Sequence, residues 1–271
     1  GNEKGTAMKN GSNVLEKIIE SKRELVEKGK RRLPAPGKDG HERKTLSLKA
    51  ILDSRPFSAI AEVKRSSPSA GNIRESLDPG RTAIEYEANG AAGISVLTCE
   101  PFFNGSMRDL EDVRRSVNIP ILMKDFIIDP WQVSEGRRYG ADIVLLILGI
   151  LDDGSFRRLS DYARNIGLEV LVEVHTPGEI ERALRLVDSW EGKILGINNR
   201  NLRTLETDTG TTPRLMKLLQ GHEMSVISES GIRSRQDVLD AVRAGVRGVL
   251  VGESLLREGR PGENLKLICG R

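Results

Sequence analysis

YGADIVLLIL, residues 139–148, ends a helix-like segment at a glycine and continues at once into an apolar run of strand length. Glycine supplies the left-handed conformation that closes a helix, and the small residue after it lets the chain turn directly into a sheet. The same junction recurs at Asn89-Gly90-Ala91 and at Ala244-Gly245-Val246. This weak internal repeat predicts units in which each helix is followed immediately by a strand.

Eight short apolar runs of strand length alternate with helix-like segments. The runs are Ser58–Val63, Gly93–Thr98, Pro120–Lys124, Ile143–Leu148, Glu169–Val174, Ile194–Asn198, Met224–Ser228 and Gly248–Val251. The helix-like segments include Asp78–Asn89, Pro130–Tyr139, Pro177–Val187 and Ser234–Ala244. This alternation predicts an α/β fold with a parallel sheet. Eight units, and no dinucleotide-type Gly-x-Gly-x-x-Gly, favour a closed (β/α)8 TIM barrel of about 250 residues over an open doubly wound sheet.

The first part of the chain has a different pattern from the barrel repeat. Apolar residues between Val14 and Val26 are spaced as on an amphipathic helix, and a Pro- and Gly-containing linker follows around residues 34–40. We therefore expect residues 1–45 to form a leader and helical extension, and residues 46–271 to form the barrel catalytic domain.

Composition narrows the class of ligand. The 271 residues include 42 Lys plus Arg and 39 Asp plus Glu, a net charge of +3, and the basic residues are dispersed. This favours a small anionic ligand over nucleic acid, for which the few aromatic residues also offer little base stacking. The longest apolar run, Ile143–Ile150, is too short to cross a membrane. Cys99 and Cys269 lack metal or redox spacing and fit a reduced, cytoplasmic chain, although free and paired thiols both remain open.

Charged residues in the first predicted strand are the main indication of function. Side chains alternate along a strand, so Glu62 and Lys64 share one face with Ile60. Burying a carboxylate and an ammonium on an inward face costs free energy unless they pair or act. Inward residues at the carboxyl ends of barrel strands line the active site in this fold. Polar or small residues at the ends of later strands are Lys124, Glu173, Asn198, Arg200, Glu229, Ser230, Gly231, Gly252 and Glu253.

Taken one at a time, these strand-end residues are most simply explained as solvated rim residues or structural ion pairs. Their convergence at the same end of different strands favours an active site instead, because closely packed charges push acid and base pKa values apart. His175 follows Glu173 by two positions, but a single histidine without partners predicts no metal site.

Small residues after the last two strands predict an anion site. Ser230-Gly231 and Gly252-Glu253-Ser254 would let backbone N–H groups approach an anion. Barrels of this type frequently bind phosphate at that place. Two ordinary glycine turns are the structural alternative, and a phosphorylated small molecule is the favoured ligand.

Six motifs occur in order along residues 46–267. They are IAEVKRSSPS at 60–69, LT at 97–98 with FNGS at 103–106, KDFIIDP at 124–130, LVEVH at 171–175, GINNRNL at 196–202 and ESGI at 229–232. Together they resemble the indole-3-glycerol-phosphate synthase family of tryptophan biosynthesis. The leading segment looks like the helices that this family lays over the barrel mouth.

The resemblance implies a carbon–carbon lyase, EC 4.1.1.48, that needs no cofactor and no metal. It would close the ring of 1-(2-carboxyphenylamino)-1-deoxyribulose 5-phosphate, with loss of CO₂ and water, to give indole-3-glycerol phosphate. We expect no other partner than this phosphorylated small molecule, neither nucleic acid nor membrane, and a monomer or weak homodimer.

The resemblance also implies a role for each candidate residue. Lys124 would be the general acid that protonates the substrate carbonyl, and Lys64 would lie near the substrate carboxylate. Glu173 and Glu62 would stabilise the iminium-like intermediate and move protons, with Asn198 orienting them, and which carboxylate serves which step stays open. The other substrate-binding residues implied are Ser67, Arg200 and Glu229 for positioning, Phe103 and Phe126 for the anthranilate ring, and Ser230, Gly231, Gly252 and Glu253 for the phosphate.

Two other functions fit a phosphate-binding barrel. The isomerase of the preceding pathway step would need an acid–base pair for enolisation, without a second lysine facing a carboxylate. A barrel that only binds a phosphosugar, as sensor or scaffold, would tolerate the loss of Lys124 or Glu173. The presence of Glu62, Lys64, Lys124 and Glu173 together favours the synthase.

Overall fold

The computed structural model describes residues 11–32, 43–67, 71–73, 76–257 and 259–270. Eight parallel strands form a closed barrel in the order β1-β10-β9-β8-β7-β6-β5-β4, which confirms the predicted TIM barrel. The barrel strands are β1 (Ser58–Val63), β4 (Gly93–Leu97), β5 (Ile121–Lys124), β6 (Ile143–Ile147), β7 (Glu169–Val174), β8 (Lys193–Asn198), β9 (Val226–Glu229) and β10 (Gly248–Val251). Two short strands, β2 (Ser66–Ser67) and β3 (Gly71–Asn72), pair antiparallel after β1 and were not predicted.

Helices lie before the first barrel strand, between the strands and after the last one. They are α1 (Gly11–Arg32), α2 (Leu48–Ser54), α3 (Pro79–Ala88), α4 (Glu100–Phe103), α5 (Met107–Ser116), α6 (Pro130–Arg138), α7 (Asp153–Asn165), α8 (Pro177–Leu186), α9 (Thr211–Met216), α10 (Arg235–Arg243), α11 (Glu253–Leu256) and α12 (Pro261–Cys269). The four helices quoted from the sequence are present, each shorter by a residue at one or both ends. Asp78 and Ser234, for example, are N-caps whose side chains accept backbone N–H bonds from Arg81 and Asp237.

The glycine junctions have the predicted conformation. Gly140 has a φ of +105°, and Gly90 and Gly245 are also left-handed. The N–H of Ala141 then donates to the carbonyl of Gly136 at 2.9 Å, which closes α6 one residue before the chain turns toward β6.

Alternation along the strands produces two separate apolar cores. Ala61 and Val63 point outward, into the larger core between the barrel and its helices. Ile60 points inward with Leu145 and Leu250, into a smaller core inside the barrel. Each fully buried large side chain contributes about 1.5–3 kcal/mol. Glu62, on the inward face, therefore ends up above the inner core, at the carboxyl end of the barrel.

The amino end of the barrel, here called the bottom, is closed by the segment before β1. The buried carboxylate of Asp142 accepts hydrogen bonds from Arg43 at 2.8 Å and from the N–H of Leu46 at 2.9 Å. Glu169 accepts from the N–H groups of Leu48 and Lys49 at the start of α2. These contacts hold α2 against the bottom of the barrel.

The carboxyl end of the barrel, here called the mouth, is partly covered by α1. Lys22 in α1 is 2% exposed and forms an ion pair with Asp125, which follows β5. Lys30 near the end of α1 forms an ion pair with Asp129 at 2.6 Å. Residues 1–10 and 33–42 of the predicted leader and linker lie outside the described residues, and the division at residue 45 stays a prediction.

Two further features concern membrane spans and the cysteines. Among the helices that the structure describes, none is long and apolar enough to cross a membrane. Cys99 and Cys269 are both buried and are not joined by a disulfide.

Candidate active site

A cavity of about 620 Å³ lies at the mouth, between the strand ends and α1. This volume suits a small organic ligand rather than a macromolecule. Its wall includes twelve of the predicted site residues, namely Glu62, Lys64, Phe103, Lys124, Phe126, Glu173, Asn198, Arg200, Ser230, Gly231, Gly252 and Glu253.

Two predicted residues are not on the cavity wall. Glu229 is 0% exposed and lies behind Lys124. Ser67 belongs by its backbone to β2, and its side chain lies outside the described part of the structure. Glu229 therefore reaches the cavity only through its contact with Lys124.

A chain of alternating charges crosses the inner side of the mouth. Lys64 Nζ lies 2.9 Å from Glu62 Oε1, and Lys124 Nζ lies 3.5 Å from Glu62 Oε2. On its other side Lys124 Nζ donates to Glu229 Oε2 at 2.8 Å. Strands β1, β5 and β9 thus bring together residues that are far apart in sequence, and Lys124 lies at the centre.

These contacts shift the pKa values of the buried groups in opposite directions. Burial raises the pKa of Glu62, but Lys64 and Lys124 outweigh it and hold the pKa near 2. Burial lowers the pKa of Lys124, but Glu229 and Glu62 raise it above its ordinary value. Burial raises the pKa of Glu229 to about 7, since Lys124 only partly offsets it. Lys124 is therefore protonated at neutral pH, Glu62 is ionised, and Glu229 is able to exchange a proton.

Two glycines make room for this cluster. A Cβ on Gly196 would lie 2.1 Å from Glu229 Oε1, and a Cβ on Gly252 would lie 2.7 Å from Glu62 Oε1. Both distances are shorter than any ordinary contact. Gly252, predicted as a phosphate-binding residue, thus also has a packing reason to be glycine.

Glu173 differs from the other carboxylates in the cavity. It is 1% exposed, and neither of its carboxylate oxygens accepts an aligned hydrogen bond, although Oε1 lies 3.1 Å from His175 Nε2. Burial raises its pKa, but His175 and then Lys124 outweigh this effect, so the pKa lies below the ordinary value. A buried, ionised carboxylate without an aligned hydrogen bond is costly, which is typical of a group that keeps acceptor sites for a ligand.

The other end of the cavity is built from small residues and arginines. Ser230 and Gly231 have positive φ angles of +65° and +80°, so the backbone turns sharply after β9. Arg200, Arg233 and Arg257 line the same region. The carboxylate of Glu253 contacts Arg200 at 3.7 Å and also pairs with Arg257. This end is suited to an anion such as a phosphate.

Asn199 supports the Ser230 turn from below. Its amide nitrogen donates to the carbonyl of Ser230 and to Ser228 Oγ, both at 3.0 Å. Its amide oxygen accepts from the N–H and the hydroxyl of Thr212. Asn199 was not among the predicted site residues. Alternation turns its side chain away from that of Asn198, and nothing in the sequence indicates that it meets the Ser230 turn.

An apolar wall faces the charged cluster. The rings of Phe103 and Phe126 are 6.0 Å apart and tilted by 38°. Val14, Leu15 and Ile18 of α1 complete this side. The resemblance implied both the two phenylalanines and a helical segment over the mouth.

Lys22 and Asp125 fix α1 to the mouth. Asp125 also accepts from the hydroxyl of Thr98 at 2.8 Å. Burial, and secondarily Asp125, raise the pKa of the neighbouring Cys99 thiol to about 12, so Cys99 is a protonated packing residue rather than a nucleophile. Lys22 lies four residues after Ile18 and four before Val26, on the apolar face of α1, and this spacing is the sequence signal that sets it apart from the exposed lysines.

Comparison with known proteins gives the same family as the motifs. The family model described as Indole-3-glycerol phosphate synthase matches residues 15–267. The indole-3-glycerol phosphate synthase of Burkholderia ambifaria (strain MC40-6) is 44% identical over 261 residues, which cover 94% of this chain and 98% of that protein. The chain belongs to the indole-3-glycerol phosphate synthase family.

Further matches agree with this membership. The indole-3-glycerol phosphate synthase of Bacillus mycoides (strain KBAB4) is 44% identical over 244 residues, 90% of this chain and 92% of that protein. Among solved structures, the N-acetylmannosamine-6-phosphate 2-epimerase from Clostridium perfringens matches with a TM-score of 0.56 at 16% identity, covering 80% of this chain and 93% of that chain. The likeness to the epimerase structure concerns the barrel fold alone.

Membership in the synthase family confirms the prediction made from the six motifs. The family is one of decarboxylating carbon–carbon lyases in tryptophan biosynthesis. Among the described residues, no group of three or more His, Cys, Asp and Glu side chains is arranged to hold a metal ion.

Proposed function

We propose that this chain catalyses the ring closure of 1-(2-carboxyphenylamino)-1-deoxyribulose 5-phosphate to indole-3-glycerol phosphate, with loss of CO₂ and water. Its family membership supports the reaction. The arrangement of Lys124 supports it further, because a lysine ammonium lies between Glu62 and Glu229 in a cavity that also contains the carboxylate of Glu173, which accepts no aligned hydrogen bond. This juxtaposition of one donor and one open acceptor is the observation on which the proposal rests.

Lys124 is the general acid for ring closure in this proposal. As the aromatic ring carbon attacks the substrate carbonyl, a C–C bond forms and negative charge develops on the carbonyl oxygen. The raised pKa keeps Lys124 protonated before the step, and an alkoxide is a stronger base than a lysine amine. Glu229, held behind it at 2.8 Å, fixes the ammonium in place.

Glu173 and Glu62 have different roles in this proposal. Glu62 is saturated by two lysines and acts through its charge, which stabilises the iminium-like intermediate. Glu173 accepts no aligned hydrogen bond and takes the proton that leaves the substrate during dehydration, while Lys64 donates the proton with which the hydroxyl departs as water. Lys64 binds the substrate carboxylate before CO₂ leaves, and Asn198 lies beside Glu173 and orients it.

The two ends of the cavity orient the substrate. Phe103 and Phe126 would contact the anthranilate ring. Ser230, Gly231, Gly252 and Glu253 would offer backbone N–H groups to the phosphate, with Arg200 nearby. Holding both ends in a fixed position brings the ring carbon close to the carbonyl, which accounts for a large part of the rate of such reactions.

The experiment is to add the carboxyphenylamino-deoxyribulose phosphate to the purified protein and follow indole fluorescence. We expect a continuous increase that heat-unfolded protein does not give. A folded protein that binds the phosphorylated compound without producing an indole signal would contradict the proposal and favour the phosphosugar-binding barrel.

We also propose that the enzyme works in the cytoplasm as a monomer or weak homodimer. Membership in a family of small-molecule biosynthetic enzymes supports this proposal. Sedimentation at several protein concentrations tests the oligomeric state, and a stable assembly at low concentration would contradict it.

A further inference from the structure

His175 is a partly buried titratable group that the proposed steps do not use. It directly follows β7, two residues after Glu173, and alternation along the strand places both side chains toward the same end of the barrel. Its side chain is 10% exposed, and it is not among the residues of the cavity wall. A substrate in the cavity would therefore meet Glu173 and not His175.

Carboxylates approach both nitrogens of the His175 ring. Nε2 lies 3.1 Å from Glu173 Oε1, within the range of an ion pair although not aligned as a hydrogen bond. Nδ1 lies 3.3 Å from Glu179 Oε2. A neutral imidazole has one N–H and one lone pair, so one of these carboxylates would face a lone pair. The doubly protonated ring, with a donor at each nitrogen, is the form that suits both neighbours.

Glu179 is itself fixed by the first turn of α8. Its carboxylate accepts the backbone N–H of His175 at 2.7 Å, and its own N–H donates to the hydroxyl of Thr176 at 3.2 Å. A Cβ on Gly149 would lie 3.1 Å from Glu179 Oε1, so the turn after β6 leaves just enough room for this carboxylate. Glu179 cannot rotate away from His175 without losing these bonds.

The other neighbours strengthen the same charge pattern. Burial lowers the pKa of His175, but Glu173 and Glu179 together raise it to about 10. Lys124 of β5 acts on Glu173 from the cavity side, and β8 contributes the uncharged amide of Asn198. The turn Leu148–Ile150 after β6 contributes no charged side chain. The ring is therefore cationic throughout the neutral range.

We propose that His175 is a positioning residue that holds a fixed positive charge against Glu173, and that Glu179 keeps this charge in place. The inference rests on the proposed function, in which Glu173 accepts a proton. A cation beside a carboxylate favours its ionised form, so His175 keeps Glu173 ready to accept a proton although burial opposes ionisation. Glu179 and His175 thus influence the reaction only through their effect on Glu173.

The pH dependence of kcat tests this arrangement with matched variants. His175→Gln keeps a donor near the position of Nε2 but removes the charge, and we expect the acid limb of the kcat profile to move to higher pH by about 1–3 units. KM should change little, because His175 does not line the cavity. Glu179→Gln leaves the ring in place and removes one of its two carboxylates, so a smaller shift in the same direction is expected. His175→Asn keeps a donor only near the position of Nδ1, so its acid limb should shift at least as far as that of His175→Gln.

The outcomes separate this inference from the proposed function. Wild-type protein without indole-forming activity contradicts the proposed function. If the wild type is active and His175→Gln has the same acid limb in its kcat profile, the inference is contradicted. The same holds if kcat of the variant falls by an equal factor at every pH, since a purely structural role would act in that way.

Nuclear magnetic resonance of the histidine rings gives a test that does not depend on catalytic activity. The chain has three histidines, so the signal that disappears in His175→Gln identifies the ring. In wild-type protein this signal should keep the shifts of a cationic ring up to about pH 8, and in Glu179→Gln it should titrate at lower pH. A His175 ring that is neutral at pH 7 in the wild type would overturn the inference.

Discussion

The mouth and the bottom of the barrel both contain buried carboxylates, but they differ in how these are bonded. At the bottom, Asp142 is completely buried and its two oxygens accept four bonds, from Arg43, Arg114, and the N–H groups of Leu46 and Ile121. At the mouth, Glu173 is equally buried, but it accepts no aligned hydrogen bond, and its Oε1 has an ion-pair contact with His175 Nε2 at 3.1 Å.

This difference separates structural from catalytic charges better than burial does. A carboxylate whose acceptor sites are all used has nothing to offer a substrate, and its contribution is to stability. A carboxylate held ionised without hydrogen bonds contributes little to stability and keeps its lone pairs for a ligand. Three predictions test this contrast, in order of decreasing effect.

The largest effect is expected at the mouth, from Lys124→Met. Removing the general acid should lower the rate of indole formation by about 10²–10⁴-fold. The fold should survive near neutral pH, because Glu229, whose pKa is already about 7, can take up a proton when its partner is lost. Indole fluorescence measures the rate, and circular dichroism checks the fold. A folded variant that keeps most of its activity would show that Lys124 is not the general acid.

The next effect is expected at the bottom, from Asp142→Ala. The change leaves Arg43 and Arg114 without their shared partner and should lower the free energy of unfolding by about 3–5 kcal/mol. Urea unfolding measures this loss. The rate per folded molecule, assayed well below the unfolding temperature, should stay close to wild type. A large fall in that rate without a fall in stability would contradict the contrast between the two ends.

The smallest effect is expected from pH on the stability contribution of Glu229. Its pKa is about 7 in the folded protein against an ordinary value of 4.5, so the folded state binds more protons between these values. Stability therefore falls as pH rises through this window. Glu229→Gln should lack this dependence. Between about pH 5 and pH 8 the free energy of unfolding of the wild type should therefore fall by about 1–3 kcal/mol more than that of the variant.

Urea unfolding of the two proteins at both pH values measures the difference. If the stability of the wild type and of the variant depends on pH in the same way, Glu229 does not hold a proton in the folded state. The buried carboxylates at the mouth would then be as fully bonded as those at the bottom.

The fold was largely predictable because its local signals are strong. Gly140 and its equivalents mark helix ends, and the apolar runs that follow are strands in the structure. The bounds differed by one or two residues where capping residues such as Asp78 were counted as helix. The hairpin of β2 and β3 was missed because two-residue strands leave no periodic pattern.

The site was predictable in part, and for a different reason. Parallel strands end at the same face of a barrel, so Glu62, Lys124 and Glu173 could be assigned to one mouth from their positions alone. Lys22 and Asn199 could not be found in this way. A lysine on an amphipathic helix and an asparagine in a loop become significant only through the partner that each meets, Asp125 for Lys22 and the Ser230 turn for Asn199.

The sequence by itself determined the barrel, the set of charged strand ends and the family, since each depends on local periodicity or on motifs that are read along the chain. Only the tertiary structure decided which of the buried carboxylates have all their acceptor sites occupied by hydrogen bonds. Hydrogen bonds to Asp142 come from α5, β5 and the segment before α2, and the lack of an aligned hydrogen bond at Glu173 depends on where β5, β8 and α8 place their side chains. A carboxylate's protonation state is set by neighbours in space, and those neighbours are known only once the barrel has closed.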